Sequence, residues 1–185
     1  MVRVGVRLPS AITDVGEYLA DVTALEAAGA DTIWVDDTGL EPWVVLGAMA
    51  AVTHRAGLGC LLTSMKELPS SRLGASAAAL QSLSRGRTVV GLPRQGMPKD
   101  HVAALRAAGA RILIFDGERA REMHGGSEVW DTVPIPPDRD AWTSTLNSCE
   151  AAGATGVIVP WNARLIDLLR NTEPDDRSDL LISTG

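Results

Sequence analysis

One short pattern occurs three times along the chain, and each copy joins the end of a helix to the start of a strand. The copies read LEAAGADTIWVDD (Leu25 to Asp37), LRAAGARILIFDG (Leu105 to Gly117) and CEAAGATGVIVPW (Cys149 to Trp161). In each copy a glycine follows the helical residues, where it can take the left-handed conformation that ends a helix, and an apolar run then predicts a buried strand. Three copies of one joint predict a fold built from repeated βα units.

The segments between these joints complete an alternating order of strands and helices. Thr13 or Asp14 can cap the first helix, with Glu17 in its first turn, and Pro42 and Pro98 open later helices. Predicted strands run over Arg3 to Leu8, Thr32 to Asp36, Leu58 to Thr63, Thr88 to Leu92, Ile112 to Asp116, Val129 to Val133, Gly156 to Val159 and Asp179 to Ser183. Predicted helices run over Val15 to Ala28, Pro42 to Thr53, Ser71 to Leu83, Pro98 to Ala108, Asp140 to Ala152 and Ala163 to Asn171, and the polar stretch Glu118 to Ser127 has room for a single helical turn.

This order predicts an α/β fold, a compact TIM-like (β/α) barrel of parallel strands with outer helices. The barrel is a shortened one, because the chain has 185 residues and such barrels usually need about 200 or more. We interpret residues 1–185 as a single barrel domain. An open doubly wound sheet is the alternative, but Leu8-Pro9-Ser10-Ala11 follows the first strand in place of a GxGxxG turn.

Composition excludes several partners. The chain has 17 basic and 23 acidic residues and a pI near 5.0, so it has no basic stripe for nucleic acid. No apolar run is long enough to cross a membrane, and MVRVGVRLP has no signal-peptide core, so we expect a cytoplasmic protein without a membrane partner. Cys60 and Cys149 read as free thiols, and the lack of HxH, HExxH or Cys/His clusters predicts no bound metal.

Functional groups of a parallel barrel lie just after the strands, at the C-terminal mouth. Those positions hold Pro9 and Ser10, Asp36 and Asp37, Thr63 and Ser64, Pro93 and Arg94, Asp116, Pro134, Trp161 and Asn162, and Ser183 and Thr184. The set is polar, has few charges and includes one large aromatic ring. It can hold a planar cofactor against Trp161 and bind the edge of the cofactor ring through hydroxyls and backbone amides.

Several of these residues have two interpretations. Asp36 and Asp37 are either paired acids for proton transfer or caps for the helix that Pro42 opens. Arg94 and Arg164 are either solvated or bind a phosphate tail, and Arg164 lies in a first helical turn, where free amides favour anions. Asp116 reads as a turn residue because Gly117 follows it.

Histidine, lysine and serine do not form a recognisable catalytic group in this sequence. The histidines, His54, His101 and His124, do not converge in the predicted fold, and His124 is the one near the mouth. Both lysines, Lys66 and Lys99, fall in loops, which argues against a Schiff-base aldolase. No GxSxG elbow supports a serine nucleophile.

Four stretches resemble the bacterial luciferase-like flavin and deazaflavin (F420) oxidoreductases. They are RVGVRLP, AGADTIWVDD, EPWVVLGAMAAVTHRAGLGCLLTS and above all ALQSLSRGRTVVGL, and together they cover about the first half of the chain, Val2 to Leu92. The last resembles the family pattern A-x-L-x-x-L-S-x-G-R at Leu80, Leu83, Ser84, Gly86 and Arg87. The resemblance implies a TIM-like barrel, FMN or F420 at its mouth, hydride transfer, a small-molecule substrate and a homodimer.

The resemblance also assigns residues. Asp37 matches an acid that the family commonly carries after its second strand, but Thr38 stands where a His usually follows. The family places its cofactor ring over the end of the third strand, here Thr63 and Ser64. In the family the fourth strand tends to end in a glycine-rich run that lets the backbone approach the cofactor. Gly91 stands at the matching place in this chain, but Pro93-Arg94 follow it where more glycines would be expected.

Three hypotheses follow. The first is a flavin- or F420-dependent oxidoreductase of the luciferase-like family, with Asp37 and Asp36 as catalytic residues. Its cofactor site would consist of Thr63, Ser64, Gly91, Arg94, Trp161, Asn162 and Arg164. The second is a shortened, non-catalytic relative that binds flavin or F420 or has lost the cofactor. The third is a lyase or isomerase that uses Asp36 or Asp37 as a base.

Overall fold

The computed structural model describes residues 2–63, 68–123 and 125–170, and their strands form one closed barrel. Its strands are β1 Arg3–Arg7, β2 Thr32–Asp36, β3 Gly57–Leu61, β4 Thr88–Pro93, β5 Arg111–Asp116, β6 Arg119–Glu122, β7 Val129–Thr132 and β8 Gly156–Pro160. Its helices are α1 Val15–Ala28, α2 Pro42–Val52, α3 Ser70–Leu83, α4 Lys99–Ala107, α5 Arg139–Ala151 and α6 Arg164–Arg170. The prediction of an α/β barrel with outer helices is confirmed. None of the helices described is both long and apolar enough to cross a bilayer.

The repeated joints behave as their sequence predicts. Gly29, Gly109 and Gly153 have φ values of 102°, 74° and 79°, which are left-handed conformations that favour glycine. Each glycine follows a helix and directs the chain back toward the base of the next strand. The three joints therefore deliver β2, β5 and β8 to the barrel in the same way.

One strand departs from the predicted parallel order. β6 pairs antiparallel with both β5 and β7, and the single helical turn that we expected within Glu118 to Ser127 is wrong. The Asp116-Gly117 turn is responsible, because Gly117 takes a φ of 63° and reverses the chain directly after β5. A tight hairpin thus replaces a βα crossover.

The barrel closes through a different strand from the one we expected. β8 pairs parallel with β1, in a register that places Arg3 opposite Gly156 and Arg7 opposite Pro160. The extra strand β6 supplies the eighth member, so closure uses no strand beyond Pro160. The predicted strand Asp179 to Ser183 lies outside the described residues.

Two hydrophobic cores lie on opposite sides of the strands. The outer core packs strand residues such as Val4, Val6 and Ile33 against the helices. The inner core fills the barrel with Trp34, Val89, Leu113, Ala120, Trp130 and Ile158. Cys60 belongs to the outer core, and both Cys60 and Cys149 are free thiols, as predicted.

Three glycines make room for the two large indole rings inside the barrel. A Cβ atom on Gly59 would lie 2.3 Å from Trp34 Cε3, and one on Gly156 would lie 2.5 Å from Trp130 Cε3. A Cβ on Gly5 would lie 2.9 Å from Trp34 Nε1. The interior is therefore a packed core and not an open channel.

Candidate active site at the barrel mouth

A cavity of about 330 Å³ opens at the C-terminal ends of the strands. We call it the mouth cavity, and it is lined by Arg7, Trp34, Leu61, Leu62, Thr63, Pro93, Phe115, Gly117, Glu118, Thr132 and Ile158. Within this lining Trp34 and Phe115 meet edge to face, with ring centroids 6.0 Å apart and an interplanar angle of 84°. Apolar walls with a few polar groups are typical of small-molecule sites.

Asp36 lies at this end of the barrel, and both of its carboxylate oxygens accept hydrogen bonds. Its side chain is 7% exposed; Oδ2 accepts from Arg7 Nη2 at 2.8 Å, and Oδ1 accepts from the backbone N–H and hydroxyl of Thr38. Burial by itself raises the pKa of Asp36, but these bonds from Thr38 and Arg7 outweigh it and lower the pKa. Asp36 is therefore a stable carboxylate and a weak base, which does not favour a lyase or isomerase mechanism.

Asp37 ties the end of β2 to the residues after β3. Its Oδ1 accepts hydrogen bonds from the Thr63 backbone N–H at 2.9 Å and from the Thr63 hydroxyl. These bonds fix Thr63, which lines the mouth cavity. The structure thus brings together two residues that the sequence assigned to different roles. Ser64, the neighbouring candidate, lies outside the described residues.

Gly91 and Arg94 lie on β4 and directly after it. A Cβ on Gly91 would lie 2.7 Å from Phe115 Cε2, so this glycine makes room for the ring that lines the cavity. The Arg94 guanidinium forms an ion pair with Asp116 at 2.8 Å, and both side chains are about two-thirds exposed. Arg94 is therefore a rim residue with a solvated partner.

The remaining cofactor candidates lie beside the mouth cavity and not in its lining. The Trp161 side chain packs against the outer core, while its backbone N–H donates to Arg7 O at 2.8 Å. Asn162 Oδ1 accepts from the backbone N–H of Arg164 at 3.0 Å, and the Arg164 guanidinium donates to Pro137 O. The structure therefore groups Trp161, Asn162 and Arg164 around the start of α6, and none of the three is in the described lining of the mouth cavity.

Sequence reasoning missed much of the lining. Arg7, Trp34, Phe115, Glu118 and Thr132 were not among the candidates, although the signal for Arg7 was present. In RVGVR the valines alternate with Arg3, Gly5 and Arg7, and a barrel strand with an apolar outer face must point the other set inward. Trp34 follows the same alternation in β2.

The SLSRGR stretch serves the opposite end of the barrel. Arg87 donates to the backbone oxygens of Ser84, Thr53 and Ala56 at 2.6 to 2.9 Å, and so links the end of α3 to the loop before β3. Glu26 accepts from the backbone N–H groups of that same loop. The residues of this motif therefore organise the base of the barrel.

The mouth cavity fits part of a flavin or F420 molecule. Its aromatic and aliphatic walls suit a flat ring, and Thr63, Thr132 and Arg7 offer hydrogen bonds to a ring edge. Arg7 is the one cation in the described lining, and Asp36 already pairs with it, so a phosphate tail would have to reach Arg94 at the rim or Arg164 beside the cavity. No group of three or more His, Cys, Asp or Glu side chains suited to a metal ion occurs within the described ranges.

The comparisons with known proteins agree with the sequence resemblance. A family model described as luciferase-like monooxygenase matches residues 1–111. Among curated proteins, none matches the chain.

Several solved structures resemble the chain. A coenzyme F420 dependent tetrahydromethanopterin reductase from Methanopyrus kandleri is 21% identical over 54% of this chain and 31% of its own, with a TM-score of 0.45. The oxygenating constituent of 3,6-diketocamphane monooxygenase from Pseudomonas putida, in complex with FMN, is 10% identical over 58% of this chain and 37% of its own, also at 0.45. A truncated 3-deoxy-D-arabino-heptulosonate 7-phosphate synthase from Thermotoga maritima is 13% identical over 91% of this chain and 84% of its own, at 0.47. The chain thus spans about a third of the length of the first two structures.

Proposed function

Because the chain belongs to the luciferase-like monooxygenase family, we propose that it is an oxidoreductase that holds FMN or F420 at the barrel mouth and acts on a small organic substrate. The bound cofactor would supply the hydride-transfer chemistry. The observation that carries this proposal is the mouth cavity, which combines aromatic walls with a few fixed polar groups at the functional end of the barrel.

The residues of the chain would bind and orient the cofactor without transferring a proton. Trp34, Phe115 and Leu61 would contact the faces of the ring, and the Thr63 hydroxyl and backbone would be held in place by Asp37. Asp36 would hold Arg7 beside the ring. In this proposal Asp36 and Asp37 act as positioning residues, since each carboxylate already accepts hydrogen bonds.

One observation favours a second candidate function, a shortened relative without catalytic activity. Arg7 is the one cation in the described lining of the mouth cavity, and Asp36 already pairs with it, while Arg94 at the rim pairs with Asp116. The described lining therefore offers a cofactor phosphate no cation without a carboxylate partner. Such a protein would bind the cofactor weakly, or would bind other flat molecules.

Titration of the purified protein with FMN and with F420, followed by cofactor fluorescence, tests the proposal. Binding followed by reduction with candidate hydride donors supports the enzyme, and binding without reduction supports the second candidate. Unchanged fluorescence with both cofactors would contradict both cofactor-binding functions.

A paired substitution tests the mouth residues. We expect Asp37→Asn to lower the rate of cofactor reduction by about tenfold or more, because the neutral amide weakens both bonds from Thr63 and places an NH2 group where Oδ2 accepts from the Thr63 N–H. Asp14→Asn is the matched control, since Asp14 caps α1 and Asn caps a helix equally well. An unchanged rate in Asp37→Asn would remove Asp37 from the site.

We also propose that the expected homodimer forms through α2 and α3. Helix α2, PWVVLGAMAAV, has no charged side chain, yet part of it faces solvent. The exposed residues of what we call the α2–α3 patch are Val44, Ala48, Ala51, Ala75, Ala79 and Leu83. Val44 and Leu83 are 71% and 64% exposed. A second copy of this uncharged, small-residue surface can approach closely without repulsion between like charges.

A further inference from the structure

A second cavity of about 330 Å³ lies at the opposite end of the barrel, among the first residues of the strands. We call it the base cavity. Four arginines from different elements line it: Arg3 of β1, Arg55 of the loop before β3, Arg87 before β4, and Arg111 of β5. Such a concentration of positive charge is unusual in a chain whose net charge is −6.

The carboxylates around this cavity balance the arginines only in part. Glu128 Oε1 accepts from Arg3 Nη1 at 2.8 Å and from Arg111 Nη1 at 2.7 Å, so one carboxylate serves two guanidinium groups. Asp31, which lines the cavity, accepts from the backbone N–H of Val4. Glu26 lies near Arg87 and accepts from the backbone N–H of Arg55, so it belongs to the same charge balance. Counting Glu128, Asp31 and Glu26 against the four arginines still leaves more positive than negative groups.

Several guanidinium N–H groups have no partner within the described part of the chain. Arg3 and Arg111 each make their side-chain hydrogen bond through Nη1, which leaves their other N–H groups available. Arg55 is exposed, and its guanidinium makes no hydrogen bond or ion pair with any described residue. Donors therefore remain on three sides of one cavity.

Apart from Arg55, whose side chain is exposed, the cationic groups are also held in place. Arg3 lies over the Trp130 ring, with its Cζ 5.1 Å from the centroid. Arg87 is fixed by backbone oxygens of Ser84, Thr53 and Ala56. Fixed donors lose less side-chain entropy when a ligand binds than free surface arginines do.

We propose that the base cavity binds a phosphate group, either as the free ion or as the phosphate of a small phosphomonoester. Arginine matches phosphate because its planar N–H groups form charge-assisted, often paired hydrogen bonds with the phosphate oxygens. The cavity volume is at the lower end of the range of small-molecule sites, about 300 to 1,000 Å³. It thus leaves room for a small organic body beside the phosphate. This site lies apart from the mouth and does not depend on the proposed function there.

Calorimetric titrations with inorganic phosphate and with glycerol 3-phosphate, at constant ionic strength in chloride, test the proposal. We expect saturable binding of at least one of them, and a loss of affinity of about tenfold or more in Arg55→Gln, as for one charge-assisted hydrogen bond. The matched control is Arg72→Gln, which removes an exposed arginine near the start of α3, about 17 Å along that helix from Leu83. It should bind like the wild type.

Backbone amide NMR identifies the location. Gly86 and Gly109 line the base cavity and Gly117 lines the mouth cavity, so phosphate should shift the first two resonances and leave the third in place. If glycerol 3-phosphate binds more tightly than inorganic phosphate, the ligand of the base cavity is a phosphomonoester. If inorganic phosphate binds equally well or more tightly, the ligand is the free ion. The proposal is overturned if neither compound shows saturable binding in the chloride buffer, or if Arg55→Gln and Arg72→Gln bind with the same affinity. It is also overturned if the Gly117 amide resonance shifts and those of Gly86 and Gly109 do not.

Discussion

At the scale of single residues, Glu26 has a demanding structural role. Its side chain is buried within α1, yet it accepts hydrogen bonds from the backbone N–H groups of His54, Arg55 and Ala56 at 2.7 to 2.9 Å. Burial raises the pKa of Glu26, but the bonds from Ala56, Arg55 and His54, with Arg87 nearby, lower it further than burial raises it. One carboxylate thus accepts hydrogen bonds from three backbone N–H groups of the loop between α2 and β3, which have no backbone acceptor of their own in that loop.

We expect Glu26→Gln to reduce the free energy of unfolding by about 1 to 3 kcal/mol near neutral pH, because three backbone N–H groups then share one neutral amide oxygen in place of a charged carboxylate. The folded pKa of Glu26 lies below its ordinary value of 4.5, so the wild-type stabilisation is complete above that value and is lost as pH falls through the folded pKa. The difference between wild type and variant should therefore shrink in acid. Urea unfolding at several pH values measures it.

Glu17→Gln is the control for this prediction, since Glu17 is an exposed residue of the first turn of α1. Its effect should stay below about 1 kcal/mol. A Glu26→Gln difference that stayed constant between neutral and acidic pH would show that the carboxylate charge is not what stabilises the loop.

The residue scale also shows where sequence reasoning stops. Asp37 and Thr63 could be assigned to the mouth because both directly follow strands, and the barrel brings them into contact. Trp161 follows β8 as closely and Arg164 lies three residues further on, but the Trp161 side chain packs against the outer core and the Arg164 guanidinium donates to Pro137 O. The side of the chain on which a loop residue points depends on tertiary packing, which no local pattern encodes.

At the scale of elements, glycine positions in the strands match the tryptophans that face them. Gly59 lies in β3 opposite Trp34 in β2, and the indole occupies the space that a Cβ would need. Strand interiors normally disfavour glycine, so these positions are explained by the ring beside them.

We expect Gly59→Ala to destabilise the barrel by about 1 to 3 kcal/mol, because the added methyl overlaps the indole in a packed interior. Gly47→Ala is the control. Gly47 lies in α2 with 3.9 Å to Leu83 Cδ1 as its nearest contact, and alanine should stabilise that helix by about 0.5 to 1 kcal/mol. Urea denaturation of both variants checks the opposite signs; a Gly59→Ala protein as stable as wild type would mean that Trp34 can move aside.

The elements whose bounds were predicted well from the sequence are the ones with a clear run of apolar residues. β2, β4 and β5 match their predicted ranges within a residue or two, because long buried runs and glycine stops mark their ends. β6 reads RARE, and with one buried alanine among charged residues it lacks a strand signal. Its pairing comes from the Asp116-Gly117 turn, which brings it beside β5.

At the scale of the whole molecule, the α2–α3 patch should determine the oligomeric state. Val44→Glu places a charge on the exposed face of α2, and burial of an unpaired carboxylate in a dimer is costly. We expect the wild type to be dimeric and Val44→Glu to be monomeric, as measured by light scattering after size-exclusion chromatography.

Val15→Glu is the matched control for the dimer, because Val15 is 61% exposed at the start of α1, outside the patch. It should leave the dimer intact. A wild type that is monomeric at all concentrations, or a Val15→Glu variant that also dissociates, would contradict the proposed interface.

The overall architecture was predictable because three repeated joints define βα units, and such units have few ways to close. The charge distribution was not. Arg3, Arg55, Arg87 and Arg111 are widely spaced in the sequence, and only barrel closure brings them around one cavity. A net charge of −6 gives no hint of it.

The two indoles inside the barrel give this protein a pair of built-in optical probes. Trp34 lines the mouth cavity and its Nε1 has no hydrogen-bond partner among the described residues, whereas Trp130 lies beneath Arg3 and donates to Glu128 at 2.9 Å. An indole with a hydrogen-bonded N–H and one without differ in emission energy. In a variant in which Trp43, Trp142 and Trp161 are replaced by phenylalanine, spectral changes from one ring or the other would therefore report separately on the two ends of the barrel.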